Sequence, residues 1–388
     1  MTKSPESVLV EEMTAWRRDL HAHPEFGFEE SRTGAFVATK LREFGLDDVV
    51  EGVGGTGVVG TLTRGSAIRS IALRADMDAL RITEQGERPH RSTNSGTMHA
   101  CGHDGHTAML LGAAKCLAED GGFNGTVRFV FQPAEEWGKG AMAMLADGLL
   151  ERFPFEEIHG LHNMPGLPVG HFQTRAGPFM SAEDVFEIVL RGVGGHAARP
   201  HWGRETLVAA CALVTNLQTI VSRRLSPSDV AVVSVTELLT DGTRNVLPGE
   251  ARISGDTRSF RMDVSVEIER QMRAIAEGTA LAHNVSAEVA YAREFVPLVN
   301  DAVLADEALA TARFLFGDDA VSEPADPMTA SEDFARFLAH VPGCFAFLGN
   351  GLESAPLHNA AYDFDDGGLI HGARYHAGIV RRRLPASP

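Results

Sequence analysis

Residues 98–106 read Met-His-Ala-Cys-Gly-His-Asp-Gly-His, which places one thiol, one carboxylate and three imidazoles within nine positions. One glycine separates Cys101 from His103. Both side chains can face a single ion from a tight loop, and Gly102 brings no side chain to obstruct it. A thiolate beside an imidazole suits zinc-like and other first-row transition metals better than magnesium or calcium. Taken alone, the same stretch also suits a polar loop around a buried thiol.

Further along the chain, more groups of the same chemical kind sit at the ends of expected strands. Residues 70–74 read as a strand, and Asp76 and Asp78 follow it. Paired carboxylates there can bind a metal or hold a ligand histidine. Residues 126–131 read as a largely apolar strand, and Glu135 and Glu136 leave its end. Residues 156–161 form a third strand, followed by His162. His21 and His23 read as polar groups near the site or at the surface. The glycine cluster at 52–57 has no helix after it, so it reads as a hairpin turn and not a phosphate cradle.

These strands alternate with helical stretches, the pattern of parallel βαβ units. Helices are expected over residues 5–20, from Ser31 to 44, up to residue 118 with Asp104 or Thr107 as its cap, and over 141–150. In an open α/β sheet, ligands bind beyond the carboxyl ends of the strands. The acids and His162 all follow such ends, and the Cys101/His103 loop leads into a helix of the same layer. That convergence favours a metal site over unrelated surface polarity.

The rhythm changes after residue 178. Strands over 184–191, 230–237, 251–259 and 285–293 interleave with helices over 204–222 and 264–283. This βαββαβ order is the plan of a ferredoxin-like domain. The expected fold class is therefore α/β, with a mostly parallel sheet in a discontinuous metal-binding domain (1–179 and 295–388). A ferredoxin-like lid or dimerisation domain (180–294) is inserted into it. In the last segment Ser331 should cap a helix, 342–348 a strand, and a closing helix should start near 367.

The chain has 388 residues, a formal net charge of −17 and 44% apolar residues. It is long enough for two cores, and its charge disfavours nucleic-acid or anionic-membrane partners. Cys101, Cys116, Cys211 and Cys344 lie far apart without a Cys-x-x-Cys pair. That pattern fits a reduced, cytoplasmic protein. The first ten residues lack a basic region followed by an apolar run, so no signal peptide is expected, and no run suits a membrane span.

Nine motifs occur in one order: residues 18–25, 73–80, 98–106, 131–136 (Phe-Gln-Pro-Ala-Glu-Glu), 160–163 (Gly-Leu-His-Asn), 194–201 (Gly-Gly-His-Ala-Ala-Arg-Pro-His), 245–249, 331–334 and 356–359. As a set they resemble the M20 metallopeptidase family, most closely its amidohydrolase branch of hippurate, N-acyl-amino-acid and auxin-conjugate hydrolases. The resemblance implies two divalent transition-metal ions (manganese, zinc, nickel or cobalt). Cys101, His103, Glu136, His162 and His358 match the family's ligands, the thiolate standing where relatives use a carboxylate. Glu135 matches the general base. His196 and Asn245 match donors from the inserted domain, His196 often acting from a partner subunit. Arg258 resembles a grip for the substrate carboxylate, and Asp78 a group orienting His103.

The expected activity is hydrolysis of N-acyl-amino acids, hippurate-like or N-acetylated. A dipeptidase or a diaminopimelate-type deacetylase would use the same chemistry, and a non-catalytic binding protein could keep the same fold. A small-molecule substrate and a homodimer or higher homo-oligomer through the inserted domain are the expected partners. Hinges near 177–178 and 295–297 would let that domain close.

Overall fold

The computed structural model describes residues 4–322 and 325–386. Residues 1–3, 323–324 and 387–388, which fall in the expected catalytic domain, lie outside the described residues, and with them the start of the segment in which no signal peptide is expected. The chain forms two compact units. The first runs through Gly177, resumes at Val299–Asp326 and continues from Asp333; the second is Pro178–Leu298 with Pro327–Glu332. Residues 327–332 join the second unit because Met328 bridges Met180, and the carbonyl of Met328 accepts the Ser181 N–H.

The first unit is built on a seven-stranded sheet. Across it lie Asp48–Val53, Gly57–Arg64, Gly125–Gln132, Ser70–Asp76, Ile158–Met164, Gly343–Gly349 and Phe172–Gln173. The four strands from Gly125–Gln132 to Gly343–Gly349 run parallel, and the outer pairings are antiparallel. Ser70–Asp76 and Gly343–Gly349 are buried throughout, as strands covered on both faces must be. The antiparallel edge follows from the glycine turn at 54–56, too short for a parallel crossover.

Helix His103–Asp120 lies within the main core, with Met109, Leu110 and Leu111 fully buried. Burial of each contributes roughly 1.5–3 kcal/mol. The helix packs against Pro5–Ala22 and Leu369–Arg383. Its expected cap is corrected by the structure. Gly102, at φ 94°, precedes the helix without a side-chain cap. Asp104 is held 2.8 Å from His21 Nδ1, and the Thr107 hydroxyl donates to the Asp76 carbonyl. The helix expected at 141–150 is two short ones, Gly140–Ala146 and Leu149–Arg152, divided at Gly148 in the left-handed region. Ser331 caps no helix. Its hydroxyl meets Arg258 and Glu183 instead, and the next helix is only Ala335–Leu338.

The main sheet of the second unit has four antiparallel strands. They are Ala231–Thr240, Glu250–Ser259, Ala182–Arg191 and Ser286–Phe295, in that spatial order. This is the ferredoxin-like arrangement of a βαββαβ chain. Alternate residues Phe186, Ile188 and Leu190 share a core with Leu213 and Leu217 of helix Thr206–Leu217 and Ile268 and Met272 of helix Met262–Ala282. A five-residue π turn, Ile220–Arg224, takes the end of the first expected helix.

Candidate metal centre

Four segments of the first unit bring the candidate ligands together. Gly102 supplies the left-handed turn before the helix. A Cβ there would lie 2.2 Å from Asn163 Nδ2 and 2.6 Å from Tyr362 Oη, so only glycine fits. The turn puts Cys101 and His103 beside the end of strand Ile158–Met164, with Cys101 Sγ 3.4 Å from His162 Nε2. Glu135 and Glu136 come from a single 3₁₀ turn after strand Gly125–Gln132. His358 Nε2 lies 3.3 Å from Glu136 Oε1.

The ligand atoms form overlapping triplets: Cys101, His103 and His162; Cys101, Glu136 and His358; His103, Glu135 and Glu136. Within each triplet the atoms are all within 4.8 Å of one another. His103 Nε2 and Glu136 Oε1 are buried and make no hydrogen bond. Buried polar atoms without a hydrogen bond cost free energy, and a cation held among these ligands would relieve that cost.

The surroundings fix the tautomers. Asp78 Oδ1 lies 3.1 Å from His103 Nδ1, which turns Nε2 toward the other ligands. The second oxygen of Asp78 accepts the Glu136 N–H at 3.0 Å, so one carboxylate ties two candidate ligands together. His162 Nδ1 donates to the Asn163 carbonyl at 2.6 Å, leaving Nε2 its lone pair.

Electrostatics also favour a cation. Burial pushes the Cys101 thiol well up, and Glu136, Glu135 and Asp76 push it further. Burial lowers His103, but Asp76, Asp78 and Glu136 outweigh it and raise the group to about 10. Burial and the neighbouring His106 hold His162 well below the usual imidazole range. The pocket thus combines excess negative potential with a neutral imidazole, the donor set of a transition-metal site.

Several residues here carry roles not assigned from the sequence. His106 lies one turn from His103, yet it is no ligand. Its Nδ1 is 2.6 Å from Asp76, and its Nε2 accepts the Asn163 N–H at 2.9 Å. Asp76 also receives Arg74 at 2.7 Å. The Tyr362 hydroxyl donates to Asn163 Oδ1, and Asn163 Nδ2 to the Cys101 carbonyl. Asp333 gives its N–H to Glu135 at 3.3 Å and accepts Gln132 Nε2 and Ala141 N–H. The i, i+3 spacing of His103 and His106 was the one available signal; the contacts of Asn163, Tyr362 and Asp333 depend on pairings 57 to 201 residues apart.

The pattern of peptidase family M20/M25/M40 matches residues 72–382. The chain belongs to that family. It is 38% identical over 368 residues to a hippurate hydrolase of Campylobacter jejuni, covering 95% of each chain. It is 37% identical to an N-acetyl-L-cysteine deacetylase of Bacillus subtilis, covering 98% of this chain and 90% of the relative. A crystal structure of a dinuclear metal-binding M20 peptidase from Bacillus subtilis superposes with a TM-score of 0.86 at 32% identity, covering 97% of this chain and 99% of that one. This M20 chain is a metal-dependent amide hydrolase.

The remaining candidates lie on the second unit. His196 is exposed on strand Gly195–His196, which pairs with Val246–Leu247; its Nδ1 accepts the Ala198 N–H. The carbonyl of Asn245 accepts the Ala197 N–H, so both residues lie at one small two-stranded antiparallel ribbon. Arg258 is already engaged, with Nε 2.7 Å from Asp256 and Nη1 2.7 Å from Glu183. Among the described residues, no helix is long and apolar enough to cross a membrane.

Proposed function

We propose that this M20 enzyme hydrolyses the amide bond of N-acyl-amino acids in the cytoplasm. Cys101, His103, Glu136, His162 and His358 would hold two divalent transition-metal ions. The single observation that carries this reading is the convergence of those five side chains around buried, unbonded His103 Nε2 and Glu136 Oε1, with Glu135 alongside. The names of the two similar enzymes, a hippurate hydrolase and an N-acetylcysteine deacetylase, support the substrate class.

When bound, the metal pair would polarise the amide carbonyl and lower the pKa of water. Glu135 takes the proton from the attacking water and returns it to the leaving amine. The Asp333 N–H holds one Glu135 oxygen and thereby aims the other. His196 and Asn245 would donate to the developing oxyanion, and the second unit would serve as the lid and dimerisation domain. Arg258 would hold the substrate carboxylate through its remaining N–H groups, since Asp256 and Glu183 occupy the others.

The test is a panel of hippurate, N-acetyl-amino acids, N-acetyl-diaminopimelate and dipeptides. Each is assayed with protein reconstituted separately with manganese, zinc, cobalt and nickel. The expected result is turnover of N-acyl-amino acids above dipeptides. Turnover of dipeptides alone would reject the proposed substrate class.

A further inference from the structure

Ala134 is the residue that turns the chain from strand Gly125–Gln132 into Glu135 and Glu136. It is a non-glycine residue at φ 48°, ψ 44°, in the left-handed region. An L-residue there needs support from its surroundings. One buried side chain supplies part of that support, beside the Gly140 N–H that donates to the Ala134 carbonyl. Glu30 is 0% exposed, and its Oε1 accepts the Ala134 N–H at 2.8 Å. Its Oε2 accepts the Thr56 hydroxyl at 2.6 Å. The start of helix Ser31–Glu43 does not use this carboxylate, because Glu25 accepts the N–H groups of Arg32 and Thr33. The loop before the helix lies against the same turn: a Cβ on Gly27 would sit 3.1 Å from both Cα and Cβ of Ala134.

We propose that Glu30 is a positioning residue for hydrolysis: it holds Ala134 in its left-handed conformation, and through that turn sets Glu135 and Glu136 toward the metal centre. This rests on the reading of Glu135 as general base. Glu30 touches neither metal ligand atoms nor substrate, and acts through the Ala134 N–H. Burial, opposed by Thr56 and aided by Asp78, pushes the Glu30 carboxyl up to about 7. Oε1 can accept the N–H in either protonation state.

The experiment compares Glu30→Ala, Glu30→Gln and Glu30→Ala/Ala134→Gly in the metal-loaded enzyme. Metal content, kcat and KM are measured on the best panel substrate, and the crystal structure of Glu30→Ala is solved. The expected result for Glu30→Ala is a relaxed 133–136 turn and a roughly 100-fold loss of kcat, with KM within about threefold, as a misplacement near 1 Å produces. Glu30→Gln should recover most of kcat, because its amide oxygen still accepts the N–H. The double variant should recover part of it, because glycine adopts positive φ without strain. An unchanged turn in Glu30→Ala, or wild-type kcat, overturns the proposal. So does a loss that neither second variant relieves. A relaxed turn combined with a fully active Glu135→Gln would instead overturn the general-base reading and leave the Ala134 clamp standing.

Discussion

Cys101 Sγ and His162 Nε2 lie 3.4 Å apart although 61 residues separate them in the chain. One comes from the loop before a helix and the other from the end of a parallel strand. Their meeting defines one edge of the sheet as the reactive edge. Burial and three carboxylates disfavour the free thiolate, so a cation must stabilise it if Cys101 is to serve as a ligand. Cys101→Ala should therefore lose one metal ion per chain, whereas Cys101→Asp should keep both, since a carboxylate offers the same charge. Elemental analysis of the two purified variants checks this; equal metal content in both would remove Cys101 from the ligand set.

Glu135→Gln should lower kcat by about 10³-fold, within the range for loss of a general acid–base group, while metal content stays at the wild-type level. The measurement pairs steady-state kinetics with metal analysis on one preparation. Retained turnover would remove the proton-transfer role.

Asp78→Ala should weaken metal binding by ~10–100-fold, the usual cost of losing a carboxylate behind a ligand histidine. The loss should exceed that of an isolated histidine partner because Asp78 also holds the Glu136 N–H. Competition with a chromophoric chelator measures it, and an affinity equal to wild type would contradict the arrangement.

His196→Ala should reduce kcat by ~10²–10³-fold, the scale for one oxyanion donor, and leave metal content unchanged. His196 sits on the second unit, whereas all five candidate ligands are on the first. A loss confined to metal binding would argue against the donor role.

An ion-pair cluster away from the centre contributes to acid stability. Glu157 accepts Arg383 at 2.7 Å and Arg69 at 2.8 Å, tying the last helix to the sheet. Burial alone would raise its carboxyl, but Arg383 and His159 hold it down at about 2. A depressed folded-state pKa stabilises the protein above the unfolded value near 4.5, and that stability is lost as pH falls toward 2. Its size is on the order of 2–3 kcal/mol. Glu157→Gln should lower the midpoint of urea unfolding at pH 7 and flatten its dependence on pH between 4.5 and 2. An unchanged slope in that window would contradict the assignment.

Legibility in the sequence followed the range of the interactions. The Cys-x-His spacing, the strand-end acids and the βαββαβ order are local patterns, and they pointed to a candidate metal site and to the inserted fold. The antiparallel sheet edge was less visible, because periodicity reports a strand and not its partner. The cap of helix His103–Asp120 was misread because Asp104 is a good N-cap by type, but His21, 83 residues earlier, claims its carboxylate. Glu30, Asn163 and Asp333 escaped for the same reason. Each acts through a contact with a distant backbone group, and nothing beside it in the chain marks that role. His106 shows the converse: its spacing suits a ligand, yet Asp76 and Asn163 occupy both nitrogens.

The most direct test is the metal-to-protein ratio after complete chelation and reconstitution with manganese, zinc, cobalt or nickel. Two ions per chain are expected in the wild type, and fewer than two when His103, His162 or Glu136 is replaced by alanine. A wild-type protein that binds no transition metal under those conditions, or variants that still bind two ions, would contradict that expectation.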